Sequence, residues 1–371
     1  MPVLSKIIEL KKQEAEYIGY EDRPYDALLD GFEAGLTTAG LAPMFAGLRD
    51  KLSTIVDKII KSGVEPDLGL VKCCYPVDEQ AKLCKALTET ILYDYDRGRM
   101  DVAPHPFTAG TLNDSRITVR YFDDDVRPSI FSALHEGGHA LYEQGFIQEH
   151  YGTPMAQAVS LGVHESQSRM MENLVGRSRP FWEHWYPKLE KMFPKQLNGY
   201  NLDNWYAAIN DVRPSLIRVE ADEVTYNLHI ILRFEMESEL FSGELDIKDG
   251  PAAWNEKMQK YLQVEVPNDA NGIMQDIHWS SGLFGYFPTY TLGNLYSAQF
   301  YHKAKQDMPD LEQNLAKGDV APLLNWLRTN IHNKGRLYRA GELMEKVTGS
   351  QPSEEYFIDY LNKKFGELYG F

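Results

Sequence analysis

His135-Glu136-Gly137-Gly138-His139 forms an H-E-x-x-H segment. On a helix, two histidines four residues apart lie on one face, one turn apart, so both imidazoles reach a single tetrahedral Zn²⁺. The glutamate beside the first histidine then addresses a water on that metal. The plain alternative is a helix whose histidine pair is merely packed or solvated. The adjacent Gly137 and Gly138 speak against it, because each glycine in a helix interior costs on the order of 1 kcal/mol relative to alanine. Their missing side chains let another helix, or a substrate, approach the backbone at the metal site.

A catalytic zinc takes a third protein ligand and keeps a further position open. About 25 residues after His139, the segment His164-Glu165-Ser166-Gln167-Ser168-Arg169 allows a turn and an antiparallel return. Glu165 is the expected third ligand, since a carboxylate following H-E-x-x-H belongs to the His₂Glu class. His164 is its rival. A third reading makes Glu165 an ordinary i,i+4 ion-pair partner of Arg169.

Helical periodicity dominates the elements that must position these groups. From Pro43, the apolar residues Phe45, Leu48, Leu52, Ile55, Val56, Ile59 and Ile60 recur at three- and four-residue steps, with the proline near the start and Gly63 as a stop. Similar patterns predict helices over 77–98, 129–146, 156–175, 218–241, 252–264 and 353–369. One segment, 116–122, alternates β-branched and aromatic residues before the acidic turn at 123–125 and predicts a strand. The expected class is mainly α, with a small β-sheet just ahead of the H-E-x-x-H helix.

The 371 residues carry 38 Lys+Arg against 54 Asp+Glu, a formal net charge of −16 that disfavours nucleic acid as a partner. No stretch reaches the ~18 uninterrupted apolar residues of a membrane span. The N-terminal segment places charge among its apolar residues from Lys6, unlike a secretory signal. A cytoplasmic location is expected. Cys73, Cys74 and Cys84 suit neither a disulfide framework nor a zinc ribbon and read as reduced thiols.

Together with H-E-G-G-H, the segments His105-Pro106-Phe107, Asp114-Ser115-Arg116-Ile117-Thr118, His164-Glu165-Ser166-Gln167, Ile217-Arg218-Val219-Glu220-Ala221-Asp222 and Gly272-Ile273-Met274-Gln275-Asp276-Ile277-His278-Trp279 resemble the signature segments of the carboxypeptidase Taq family, in that family's order. Tyr-Asp-Ala-Leu-Leu-Asp at 25–30, Gly-Tyr-Phe-Pro-Thr-Tyr at 285–290 and Glu-Leu-Met-Glu-Lys-Val-Thr-Gly at 342–349 extend the likeness over nearly the whole chain. The resemblance implies a helical saddle with a deep groove, like neurolysin and angiotensin-converting enzyme. It also implies a homodimer and Zn²⁺ or Co²⁺ as the metal. Family members carry a longer helical region ahead of the Tyr-Asp-Ala-Leu-Leu-Asp segment, so the N-terminal wall of the groove is expected to be reduced. Substrate length and the dimer contact are where that would tell.

The activity implied is a metal-dependent carboxypeptidase releasing single C-terminal residues from peptides with broad tolerance. Glu136 is then general base and later general acid. By resemblance Arg218 receives the terminal carboxylate, for which a guanidinium fork is well suited; the bland reading pairs it with Asp222 on one helix, and Asp222 would then hold the guanidinium in place. His278, Tyr286 and Tyr290 are candidate donors to the developing oxyanion. Gln275 and Asp276 are expected in the substrate site, or Asp276 as an acceptor behind a ligand imidazole. His105 enters through the resemblance alone. An extended peptide adding alongside strand 116–122 would bring Arg116 to the substrate, unless Arg116 only braces the strand through Asp114. Ligands and binding residues from 105 to 290 must share one cleft, so residues 1–371 are expected to form a single catalytic domain. Rival readings are a peptidase that cuts internally or removes dipeptides, and a catalytically silent peptide-binding protein with a structural metal.

Overall fold

The computed structural model describes residues 2–371. Two helices, α1 (Pro2–Ile18) and α2 (Pro24–Asp30), lead into α3 (Thr38–Ser62). The apolar stripe of α3 from Leu41 to Ile59 is buried. The helix starts five residues before Pro43, because the Thr37 hydroxyl accepts from the Gly40 amide and caps it, while Gly63 ends it in the left-handed region at φ 66°. Pro43 is therefore inside the helix and not at its start.

α4 (Val77–Thr90) stops well short of residue 98. Leu92 turns left-handed at φ 68°, and the Asp94 carboxylate caps a 3₁₀ turn at Tyr95–Arg97. β1 (Met100–Val102), β2 (Thr108–Thr111) and β3 (Asp114–Val119) follow and form one sheet in the order β1-β3-β2, with β1 parallel and β2 antiparallel to β3. The predicted strand is thus the central one, paired on both sides, and has no free edge for a peptide.

α5 (Arg127–Glu143) carries the H-E-x-x-H segment and packs on the sheet, on α4 and on α6 (Leu161–Arg169). Ser160 caps α6, accepting from the Val163 amide at 3.1 Å, so the helix begins later than 156. It continues into a π-helical turn at Met170–Val175. α7 (Arg179–Met192) and α8 (Leu202–Ile209) come next. The pattern over 218–241 is broken: Arg218–Glu220 form a 3₁₀ turn, and Asp222 accepts from the Val224 and Thr225 amides before α9 (Tyr226–Ser242) starts.

α10 (Gly250–Leu262), α11 (Pro288–Asp307), α12 (Leu311–Leu315), α13 (Ala321–Asn330), α14 (Ala340–Thr348) and α15 (Glu355–Tyr369) complete the body. One apolar cluster extends from Ile8 in α1 to Tyr369 in α15. Among the described residues, no helix is long and apolar enough to cross a membrane, and all three cysteines are free thiols.

α6 lies between α5 and α11 at backbone distance. A Cβ on Gly138 would sit 2.5 Å from the Gln167 carbonyl oxygen, and one on Gly293 of α11 would sit 2.3 Å from Glu165 Cγ. The glycine in α5 that the sequence left in need of a purpose is therefore the surface against which the third-ligand helix docks.

Candidate metal centre

His135 and His139 project from one face of α5, with ring centroids 4.9 Å apart. Their Nε2 atoms lie 3.6 and 3.2 Å from Glu165 Oε2 on α6. Tetrahedral coordination at about 2.1 Å separates ligand atoms by roughly 3.4 Å. The three donors, all within 4.8 Å of one another, fit a divalent ion, and the remaining ring nitrogens are engaged elsewhere.

His135 Nδ1 is 2.9 Å from Glu172 Oε2, and His139 Nδ1 is 2.6 Å from His164 Nδ1, whose Nε2 is 2.9 Å from Glu143 Oε1. With both Nε2 atoms reserved for a metal, the consistent tautomers have each ligand donate through Nδ1, His135 to Glu172 and His139 to His164, which donates in turn to Glu143. His164 thus lies behind His139 and outside the candidate ligand cluster. Glu165 is also the ion-pair partner that the alternative reading assigned it, since Arg169 Nε donates to its Oε1 at 2.7 Å. One carboxylate oxygen takes the guanidinium and the other faces the histidines.

Burial disfavours ionised Glu165, but Arg169 and the two histidines overcome it and hold the carboxyl well below its ordinary range. Glu172 is brought down to about 2, against burial, by Arg169 and His135. Burial pushes His139 down to about 3 and so keeps it neutral, the form that binds a metal.

Glu136 is buried, and its Oε2 accepts from the Thr108 hydroxyl at 2.6 Å. That hydroxyl also lies 3.0 Å from the Glu136 carbonyl oxygen, which competes for the same proton at the longer distance. Burial raises the Glu136 carboxyl, with His135 and Thr108 acting against it.

Arg218 is buried and its guanidinium is fully oriented. Nε and Nη2 donate to Asp276 Oδ1 at 2.9 and 2.6 Å, and Nη1 donates to the Tyr226 hydroxyl at 3.0 Å. One N–H remains on each terminal nitrogen for a carboxylate. Asp222, the partner expected on sequence grounds, caps the turn before α9 instead and accepts from Thr225 Oγ1 at 2.6 Å. Asp276 is likewise not behind a ligand imidazole: it bridges Arg218 and Arg233, whose Nε donates to Oδ2 at 2.7 Å. Gln275 accepts from the Arg218 amide at 2.9 Å and so fixes its backbone.

His278 Nε2 is 3.1 Å from the Tyr290 hydroxyl, and Tyr286 packs on Tyr290 with ring centroids 5.4 Å apart. Burial, with Arg218 adding to it, lowers His278 to about 4 and keeps the imidazole neutral. Burial raises both tyrosines, and the Glu165 carboxylate contributes to each, so the two phenols lie within electrostatic reach of the ligand set. The Arg218 guanidinium is 5.1 Å from the Tyr290 ring centroid. His105 lies exposed in the loop before β2, and Arg116 makes a two-pronged pair with Asp114 on β3. Neither reaches the ligand cluster.

Thr108, Glu172, Tyr226 and Arg233 were missed by reading the chain alone, and Arg169 was read only as an ordinary ion-pair partner of Glu165. Glu172 had a signal, lying two helical turns beyond Glu165 on the same face. Arg233 had another, as a charge inside an apolar run from Leu228 to Phe234. Thr108 and Tyr226 had none, because their partners come from other elements.

A family model described as carboxypeptidase Taq (M32) metallopeptidase matches residues 1–365. "Thermostable carboxypeptidase 1" of Thermus thermophilus is 48% identical over all of this chain and 74% of its own length. "Carboxypeptidase 1" of Bacillus subtilis is 42% identical over 99% of this chain and 74% of its own length. The crystal structure of an M32 carboxypeptidase from Deinococcus radiodurans superposes with a TM-score of 0.98 at 40% identity, covering 100% of this chain and 75% of that one. With the ligand triad, the adjoining glutamate and the helical body in place, the chain belongs to the carboxypeptidase Taq (M32) family of metallopeptidases.

Proposed function

We propose that the protein removes single C-terminal amino acids from peptides with broad side-chain tolerance, using Zn²⁺, or Co²⁺ in its place. The observation that carries this reading is the adjacency of Arg218 to the ligand set. Its guanidinium touches Tyr226 and lies beside Tyr290, and the Tyr226 ring is in turn covered by Arg169, which holds Glu165. A terminal carboxylate on Arg218 would bring the C-terminal end of a peptide towards His135, His139 and Glu165, which favours cleavage at its last bond.

His135, His139 and Glu165 would hold the divalent ion, which when bound would supply a Lewis acid for the scissile carbonyl and lower the pKa of the attacking water. Glu136, oriented by Thr108, takes the proton from that water and delivers it to the leaving amine. Neutral His278 and the Tyr290 and Tyr286 hydroxyls supply hydrogen-bond donors to the carbonyl oxygen as it gains charge. Arg218 and Arg233 against Asp276 leave a net positive charge in this part of an acidic protein, which draws the substrate carboxylate in.

The extended substrate backbone pairs along β2, since among the described residues this strand has only β3 beside it and its Thr108 touches Glu136. His105 and Arg116 then flank the incoming peptide. Residues 1–371 act as a single catalytic unit, as a cytoplasmic homodimer.

The test is hydrolysis of an N-blocked dipeptide and of longer peptides, with products identified, before and after chelation and after Zn²⁺ or Co²⁺ is restored. Release of free amino acid, lost on chelation and recovered with metal, is expected. Release of dipeptides, or activity indifferent to chelation, would overturn the reading.

A further inference from the structure

Glu237 is fully buried on α9 and belongs to neither the ligand set nor the carboxylate site. Its Oε2 accepts from the Tyr25 hydroxyl at 2.5 Å and from the Gly285 amide at 2.9 Å, and its Oε1 accepts from Trp279 Nε1 at 2.6 Å. These donors come from the three segments at 25–30, 272–279 and 285–290, of which the first had no role in the chemistry above. Each contact lies next to a residue of interest: Trp279 follows His278, and Gly285 precedes Tyr286. Gly285 stands at φ +89°, and a Cβ there would come within 2.8 Å of the Leu28 backbone, so α2 presses directly on this turn.

One helical turn before Glu237, Arg233 holds Asp276. His278 therefore sits in a short segment pinned on one side through Asp276 and on the other through Trp279, both by α9. We infer that Glu237 is a positioning residue that sets the His278–Tyr290 pair in its working orientation, and that α2 takes part through Tyr25. The inference rests on the reading of His278 and Tyr290 as donors to the reacting carbonyl. A carboxylate suits three converging donors because it offers only acceptors, whereas an amide must turn an N–H toward one of them.

The test is a double-mutant cycle in the metal-loaded enzyme. Glu237→Gln keeps the shape but loses at least one acceptor, and it should lower kcat by about tenfold to a hundredfold with KM nearly unchanged and one metal per chain retained. In a His278→Ala background the same change should cost nothing further, because the group it positions is gone. Trp279→Phe removes only the donor beside His278, leaves the ring against Phe284, and should behave the same way; it carries the test if Glu237→Gln fails to fold. A loss of the same size with and without His278 would show that Glu237 serves stability alone and would overturn the proposal while leaving the role of His278 standing. An unchanged kcat in His278→Ala alone would remove the donor reading and this proposal together.

Discussion

The Arg169 guanidinium lies over the Tyr226 ring, 4.2 Å from its centroid. Arg169 holds Glu165, the proposed third metal ligand, and the Tyr226 hydroxyl accepts from Arg218, so this one stacking contact links the candidate metal centre to the guanidinium proposed to receive the substrate carboxylate. Two guanidiniums brought to one phenol ring repel each other, and each is held by a carboxylate, Glu165 for one and Asp276 for the other. The distance between the two halves of the site is thereby fixed by buried, fully bonded groups.

Removing the hydroxyl at that junction should loosen substrate binding more than chemistry. Tyr226→Phe keeps the ring under Arg169 but deprives Arg218 Nη1 of its acceptor, a hydrogen bond to a charged group worth about 1.5–3 kcal/mol. The expected result is a rise of roughly tenfold in KM for an N-blocked dipeptide with kcat changed little. A change confined to kcat would contradict the assignment of Arg218.

Thr108 should matter to Glu136 and not to the metal. Thr108→Val removes the 2.6 Å bond to Glu136 Oε2 without altering volume much, and kcat should fall by about tenfold while metal content stays at one per chain. Thr108→Ser should restore most of the rate. If serine is as poor as valine, the hydroxyl is not what orients the base.

The groups behind the ligands should set metal affinity. Glu172→Ala and His164→Ala each leave a ligand imidazole without its Nδ1 partner, and each should weaken the metal by about ten- to a hundredfold in competition with a chelator. An affinity equal to wild type in both would mean that the rings are held by packing alone.

The close docking of α6 makes a sharp stability contrast between two glycines. Gly293→Ala would place a carbon 2.3 Å from Glu165 Cγ, and overpacking of this kind costs about 1–3 kcal/mol. Its Tm and its metal affinity should both fall. Gly341→Ala, whose new carbon meets nothing nearer than Gln351 Oε1 at 3.4 Å, should leave both intact or raise Tm slightly. Equal melting temperatures for the two variants would refute the close-packing account.

Glu33 caps α6 from outside, accepting from Ser160 Oγ at 2.9 Å and the Gly162 amide at 3.0 Å, with Tyr296 a third donor. Burial nonetheless raises its carboxyl to about 7. A folded-state value above the unfolded one means that the stability tied to the protonated form is complete below about pH 4.5 and is lost as pH rises through 7. Relative to Glu33→Gln, the wild-type protein should therefore lose stability between pH 5 and 8, by on the order of 3 kcal/mol. Denaturant midpoints for the two proteins that run parallel with pH would rule this out.

How far the chain could be read in advance follows the range of the interactions. The helix bearing His135 and His139 and the mostly helical class were visible because spacing of three or four residues is a local property, whereas the choice of Glu165 over His164 depends on how α6 docks on α5. Pattern failed where the backbone turned after α4, as at left-handed Leu92, and where a side chain capped the turn before α9, as Asp222 does. It failed again at the sheet, since alternation along 116–122 marks a strand but says nothing of which strands lie beside it.

By itself the sequence supplied the candidates: two imidazoles and a glutamate on one helical turn, a carboxylate able to return to them and, through the family resemblance, an arginine suited to a terminal carboxylate. The tertiary structure alone decided the partners. Arg218 is held by Asp276 and not Asp222, His164 lies against His139 Nδ1 and outside the candidate ligand cluster, and the predicted strand β3 is flanked on both sides, which leaves β1 and β2 as the edges. The reason is physical: a side chain's ionic and hydrogen-bond partners depend on which elements pack within about 3 Å of it, and in this fold those elements are separated along the chain by tens to hundreds of residues.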